Sequence, residues 1–147
     1  MYDFGLDPDA VAGLKRDSSD IAGYVEVHIE QGPVLQDGNH PVGIVTAICG
    51  IERWSVGLVG TAAHAGTTPM DLRRDALAGA SEIILAVEAL CRETEGLVGV
   101  VGELSILPNA VNAVPGETRF PVAFRSGSDA IRQQAGHALH DTVSNVA

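Results

Sequence analysis

Lysine is almost absent from this 147-residue sequence. Lys15 is the single one, and Lys and Arg together number 9 against 19 Asp and Glu, a formal charge of −10. Nucleic acids and anionic membranes are held mainly by clustered Lys and Arg that neutralise phosphates, so a chain with a pI near 4.7 excludes both as partners. Cysteine is nearly as scarce. Cys49 and Cys91 stand apart, without CxxC or CxH spacing, and read as free thiols of a reducing compartment rather than as a disulfide or a zinc site. No uncharged apolar run approaches the roughly 20 residues needed to cross a bilayer. The amino-terminal MYDFGLDPDAV has neither the basic start nor the apolar stretch of a secretion signal. A soluble, cytoplasmic protein is expected.

What is present suits a packed core. The chain is 46% hydrophobic and 19% charged, with a mean hydropathy of +0.17, which excludes a disordered, solvating chain. Charge is unevenly spread: residues 1–30 hold seven acids and two bases, whereas residues 38–51 hold no Asp, Glu, Lys or Arg. That shift predicts a boundary after Asp37, dividing the chain into residues 1–37 and 38–147.

Asp7 and Pro8 predict a short helix, with Asp7 as N-cap and Pro8 at the first helical position. Tyr24 to Ile29 alternates, with Val25, Val27 and Ile29 on one face and Glu26, His28 and Glu30 on the other, and this predicts a strand. Val42 to Cys49 and Glu52 to Val59 suit a hairpin. From about Leu72 to Cys91, apolar residues recur every three or four positions, predicting a helix whose start is capped by Thr68-Pro69 or Asp71. Leu97 to Ile106 and Glu117 to Arg125 read as strands, and Ser128 to Val146 as a second long helix. The order ββαββα predicts an α+β fold of two layers, a mainly antiparallel four-stranded sheet with two helices on one face.

Three patches carry groups suited to chemistry. His28 between Glu26 and Glu30 is material for a metal ligand with carboxylate neighbours; equally it suits a surface strand of mixed charge, since zinc wants three or four protein ligands. His64, set among small residues in Gly60-Thr-Ala-Ala-His-Ala-Gly-Thr-Thr-Pro-Met70, can donate to a developing oxyanion, or sit exposed in a helix-entry loop. Asn109, Asn112 and Arg125 can orient a small carboxylate, which a guanidinium matches bidentately; Asn in a turn and Arg at a strand edge explain the same residues.

As a set, HIEQGPVL at 28–35, GIVTAI at 43–48, HAGTTPM with RRDAL at 64–77, and PNAVNAVPG at 108–116 with Arg125 resemble the hydantoinase/carbamoylase branch of the dinuclear-metal aminoacylase and carboxypeptidase superfamily. That branch includes N-carbamoyl-L-amino-acid hydrolases, allantoate amidohydrolases and β-ureidopropionases. The resemblance implies that His28 is a metal ligand, that Gln31, Asn112 and Arg125 bind substrate, with Arg125 on its carboxylate, and that His64 reaches from one protomer into the active site of the other to polarise the scissile carbonyl. It further implies two divalent ions, zinc or manganese, and a homodimer formed through a lid domain at 38–147, with 1–37 belonging to the catalytic domain. The family's upstream HxD motif, Glu-Glu pair and downstream metal histidine have no counterpart here, so no competent metal pair is expected in this chain alone. Val-Ala-Phe-Arg stands where the family more usually has an acidic residue before its Arg-bearing pair.

The function implied is hydrolysis of the carbamoyl or ureido C–N bond of a small carboxylate by the longer parent, releasing ammonia and carbon dioxide. Two alternatives stand beside it: a non-catalytic dimerisation and lid module, and a related aminoacylase or peptidase that cleaves an ordinary amide.

Overall fold

Short acidic caps organise the first residues of the structure, a computed structural model that describes residues 1–147. The Asp7 carboxylate accepts from the Asp9 amide at 3.0 Å, and Pro8 opens the 3₁₀ helix Pro8–Leu14. Asp17 caps Ser18–Asp20 in the same way; the Ser19 amide, and then its hydroxyl, hold the Asp17 carboxyl below the usual range. Further on, both Glu30 oxygens lie 3.1 Å from the Leu35 amide at the start of α1 (Val34–Asp37). The chain separates into two compact units, Met1–Ile44 and Val45–Ala147.

The strand predicted at Tyr24 to Ile29 does not form. The segment has no ladder partner, and Val25, Val27 and Ile29 are exposed. Alternation selects a face, but a strand needs a neighbour to take its N–H and C=O groups.

In the second unit, one strand organises the rest. β1 (Gly50–Val59) runs antiparallel to β6 (Glu117–Ser126) from Gly50 opposite Ser126 to Val59 opposite Glu117. Between them in sequence come β2 (Ala63–His64), α2 (Ala76–Glu93), β3 (Val98–Val100), β4 (Ser105–Leu107) and β5 (Ala113–Val114); α3 (Asp129–Val146) follows β6. β3 and β4 lie end to end along the other edge of β6, beside residues 123–125 and 117–119. The predicted strand at Leu97 to Ile106 is thus present but broken at residues 101–104. β2 and β5 form a separate two-stranded ladder.

The predicted hairpin of Val42 to Cys49 with Glu52 to Val59 is also corrected: β1 pairs with β6, and residues 42–49 join no sheet. Val42 to Cys49 is apolar on both faces and expresses no preference of side. β6 buries Thr118, Phe120, Val122, Phe124 and Ser126 in strict alternation, and its register sets Phe120 against Val56 and Thr118 against Leu58. Such cross-strand pairs are the unit of sheet stability.

Both long helices cover that face, which bears out the two-layer α+β expectation. α2 contributes Ala76, Ala80, Ile83 and Val87, and α3 contributes Ala135 and Leu139, to a core with Val56, Leu58, Leu97, Phe120, Val122 and Phe124. Burying each of the larger apolar side chains contributes about 1.5–3 kcal/mol, and truncating Phe120 or Phe124 to Ala removes about 3–5 kcal/mol. Helix α2 starts later than predicted. The Asp75 carboxylate accepts from the Leu77 and Ala78 amides at 2.9 and 3.2 Å, while Met70–Leu72 forms a separate 3₁₀ turn. Gly136 lets α3 settle on β1: a Cβ there would lie 2.7 Å from Trp54 Cζ2. No helix is long and apolar enough to cross a membrane.

Candidate active site

Three chain segments meet at the Glu117 end of β6 and root a short arm that carries His64. Gly60 N–H donates to Gly116 O at 2.8 Å, Thr61 N–H to Arg74 O at 2.8 Å, and Ala76 N–H to Pro115 O at 3.0 Å. The glycines are steric requirements. A Cβ on Gly60 would lie 2.1 Å from Arg74 O, and one on Gly116 would lie 2.7 Å from Ala62 N.

Beyond the root, His64 stands opposite Ala113 in the β2–β5 ladder, and Ala65 N–H donates to Asn112 O at 2.9 Å. Both His64 and Asn112 are exposed. The loop then turns back, with Thr68 N–H donating to His64 O at 3.1 Å. Gly66 N–H donates to His64 Nδ1 at 3.1 Å. An imidazole that accepts at Nδ1 carries its proton on Nε2, so His64 presents an N–H donor outward. Gly66 permits this closeness, since a Cβ would sit 3.2 Å from His64 Cε1.

Sequence reasoning assigned no role to Arg73. It is half-buried, and its guanidinium donates from Nε to Thr68 O at 3.0 Å and from Nη2 to Ala65 O. It clamps both sides of the His64 turn. The signal was present in the Arg-Arg-Asp run, but nothing in that run says which carbonyls the arginine meets.

Arg125 is not brought to this arm. It lies at the opposite end of β6, on the sheet face away from the helices, between Ile51 and Val98. The eight-residue step from Glu117 to Arg125, at about 3.3 Å per residue, spans about 26 Å. His64 and Asn112 therefore share one end of the layer while Arg125 occupies the other.

In the first unit, His28 is exposed and its Nδ1 bonds Ile29 O. A carbonyl only accepts, so Nδ1 carries the proton and Nε2 keeps the lone pair that a metal ligand needs. Its carboxylate neighbours are engaged elsewhere: Glu26 accepts from Tyr24 Oη at 3.3 Å, and Glu30 caps α1. No three His, Cys, Asp or Glu side chains gather here, and one imidazole does not hold a divalent ion against the three or four protein ligands that zinc takes. The residues of this chain thus do not fit a metal centre by themselves. Gln31 adopts the left-handed region at φ 57°, a conformation uncommon for a residue with a Cβ and concentrated at turns and functional sites.

An α+β layer with a hydrogen-bond donor on a rooted arm and an unpaired guanidinium on its open face presents groups able to bind a small polar ligand. By sequence and fold the chain is a relative of the hydantoinase/carbamoylase family amidases. N-carbamoyl-L-amino acid amidohydrolase of Geobacillus stearothermophilus is 40% identical over 147 residues, covering 100% of this chain and 36% of that protein. Allantoate deiminase of Arabidopsis thaliana is 39% identical over 145 residues, covering 86% of this chain and 28% of that protein. The crystal structure of a hydantoinase/carbamoylase family amidase from Burkholderia multivorans superposes with a TM-score of 0.79 at 39% identity, covering 82% of this chain and 29% of that one. The chain thus spans about a third of the length of the relatives it matches. No family model matches it.

Proposed function

We propose that this chain supplies the substrate-covering groups of an amidohydrolase that cleaves the carbamoyl or ureido C–N bond of a small carboxylate, an N-carbamoyl-L-amino acid or allantoate. Water adds to the carbonyl carbon, the C–N bond breaks, and the products are ammonia, carbon dioxide and an amine or amino acid. As water adds, negative charge develops on the carbonyl oxygen, and His64 Nε2–H stabilises it. The observation that carries this reading is the Gly66 N–H bond to Nδ1, which fixes the donor tautomer before substrate arrives. A prepositioned donor of this kind is worth on the order of 10²–10³ in kcat. Asn112 beside it offers an amide to the substrate, and Arg125 binds the carboxylate. The divalent zinc or manganese pair implied by the resemblance requires ligands beyond His28.

A small substrate does not span 26 Å, so Arg125 of one copy and His64 with Asn112 of another serve one site in a homodimer. The free outer edge of β1, paired only with β6, offers a surface for such pairing.

In the full-length protein, His64→Ala lowers kcat by about 10² or more; wild-type turnover by that variant overturns the role. Mixing inactive His64→Ala and Arg125→Ala homodimers, with exchange of subunits, restores about a quarter of wild-type activity if the site is shared between copies, because half the dimers then hold one intact site. A site built within one copy recovers nothing.

A further inference from the structure

On the sheet face away from the helices, charge runs against the composition of the chain. The register places Arg53, Arg119 and Arg125 there, with Glu117 as the acid on that face of β1 and β6. Glu117 is taken by Arg119 at 2.7 Å. Arg53 and Arg125 have no ion-pair partner and are exposed. A protein of net charge −10 with many carboxylates leaves these two guanidiniums uncompensated.

The two are neighbours. Ile51 stands opposite Arg125 and Arg53 opposite Ala123, so Arg53 and Arg125 are a diagonal pair on one face, about 7–8 Å apart with their Cβ atoms somewhat closer. Both side chains are long enough to converge on one small ligand. Like charges so placed repel, and an anion between them reverses the sign. The flanking side chains are apolar: Ile51, Val98, Val100 and Ala123 surround the pair and bring no competing charge.

We propose that Arg53 is a specificity-determining residue, a second guanidinium that works beside Arg125 and gives this face a preference for a small dicarboxylate over a monocarboxylate. The proposal rests on the reading that Arg125 meets the substrate's carboxylate, and adds that the substrate carries a second acid group, as in a carbamoyl derivative of a dicarboxylic amino acid.

Titrating the 147-residue chain with succinate and with acetate, followed by NMR at the arginine Nε–H groups, tests it without requiring turnover. Saturable succinate binding that shifts Arg53 and Arg125 together, at least tenfold tighter than acetate and reduced about tenfold or more by Arg53→Gln with partial retention in Arg53→Lys, supports the proposal. Equal affinity for the two acids, or succinate binding unaltered by Arg53→Gln, overturns it, as does the absence of saturable binding. Both arginines are exposed, so the variants keep the fold. In the full-length protein, hydrolysis of carbamoyl-aspartate against carbamoyl-alanine then separates the two ideas. Loss of the diacid preference in Arg53→Gln supports the proposal, and equal losses for both substrates refute it. Absence of all carbamoyl hydrolysis refutes the proposed reaction while the binding result stands on its own.

Discussion

Replacing Gly60 by Ala adds one methyl group at the root of the His64 arm. The new Cβ would lie 2.1 Å from Arg74 O, 2.9 Å from Arg74 C and 3.1 Å from Ala76 N, all of them backbone atoms. None of these can rotate away as a side chain can. Moving Arg74 aside breaks the 2.8 Å bond from Thr61 N–H and disturbs the 3.0 Å bond from Ala76 N–H to Pro115 O. Overpacking costs about 1–3 kcal/mol, and each hydrogen bond lost adds about 0.5–1.5 kcal/mol. The expected loss is about 2–4 kcal/mol, or roughly 8 °C or more in Tm for a unit of this size. Gly57→Ala is the control, since its nearest neighbours, Arg119 Cγ at 3.9 Å and Thr118 O at 4.0 Å, are in ordinary contact; it is expected within about 0.5 kcal/mol of wild type. Urea unfolding of the two variants at equal m-value decides the matter. Equal stabilities for Gly60→Ala and Gly57→Ala refute the steric argument.

Three further outcomes follow from local geometry. In ¹⁵N NMR, His64 shows the Nε2–H tautomer, and Gly66→Pro, which removes the donor to Nδ1, mixes the tautomers while the sheet resonances stay in place. Asp75→Ala removes the acceptor for two amides at the start of α2 and costs about 1 kcal/mol by chemical denaturation; a change below about 0.3 kcal/mol contradicts the cap. Burial, and then the charge of Glu88, push the Cys91 thiol above its ordinary value of 9.0. The protonated form is favoured in the fold, so this contribution to stability is fully present below the ordinary thiol value and is lost as pH rises through the folded one. Alkylation of folded Cys91 is therefore slower than that of exposed Cys49, and Cys91→Ala flattens the decline in stability at alkaline pH. Equal alkylation rates contradict the assignment.

The fold was legible where one pattern had one physical meaning. The alternation through Thr118, Phe120, Val122 and Phe124 is a half-buried strand and nothing else, and the spacing of Ala76, Ala80, Ile83 and Val87 is a helix face. Tyr24 to Ile29 shows the limit, because its alternation is as regular as that of β6 but no strand lies beside it. The hairpin expectation failed for a related reason. Adjacency in sequence favoured Val42 to Cys49 as the partner of β1, whereas complementary apolar rows favoured β6.

At the site, chemistry was easier to read than placement. His64 and Asn112 stood out by residue type, yet the two-residue ladder that joins them is too short to leave a periodic trace. Asn112 and Arg125, read as one patch because a single strand links them, are separated by the length of that strand. Arg73 went unassigned because its role lies in two backbone carbonyls that any residue could provide.

The root of the arm is held by main chain alone, through bonds among Gly60, Thr61, Arg74, Ala76, Pro115 and Gly116. Among them, only the two glycines and the core residue Ala76 are tied to their identity. Exposed residues outside the root, such as Val111, can therefore be exchanged without touching these bonds. One main-chain root can in this way carry many different tips.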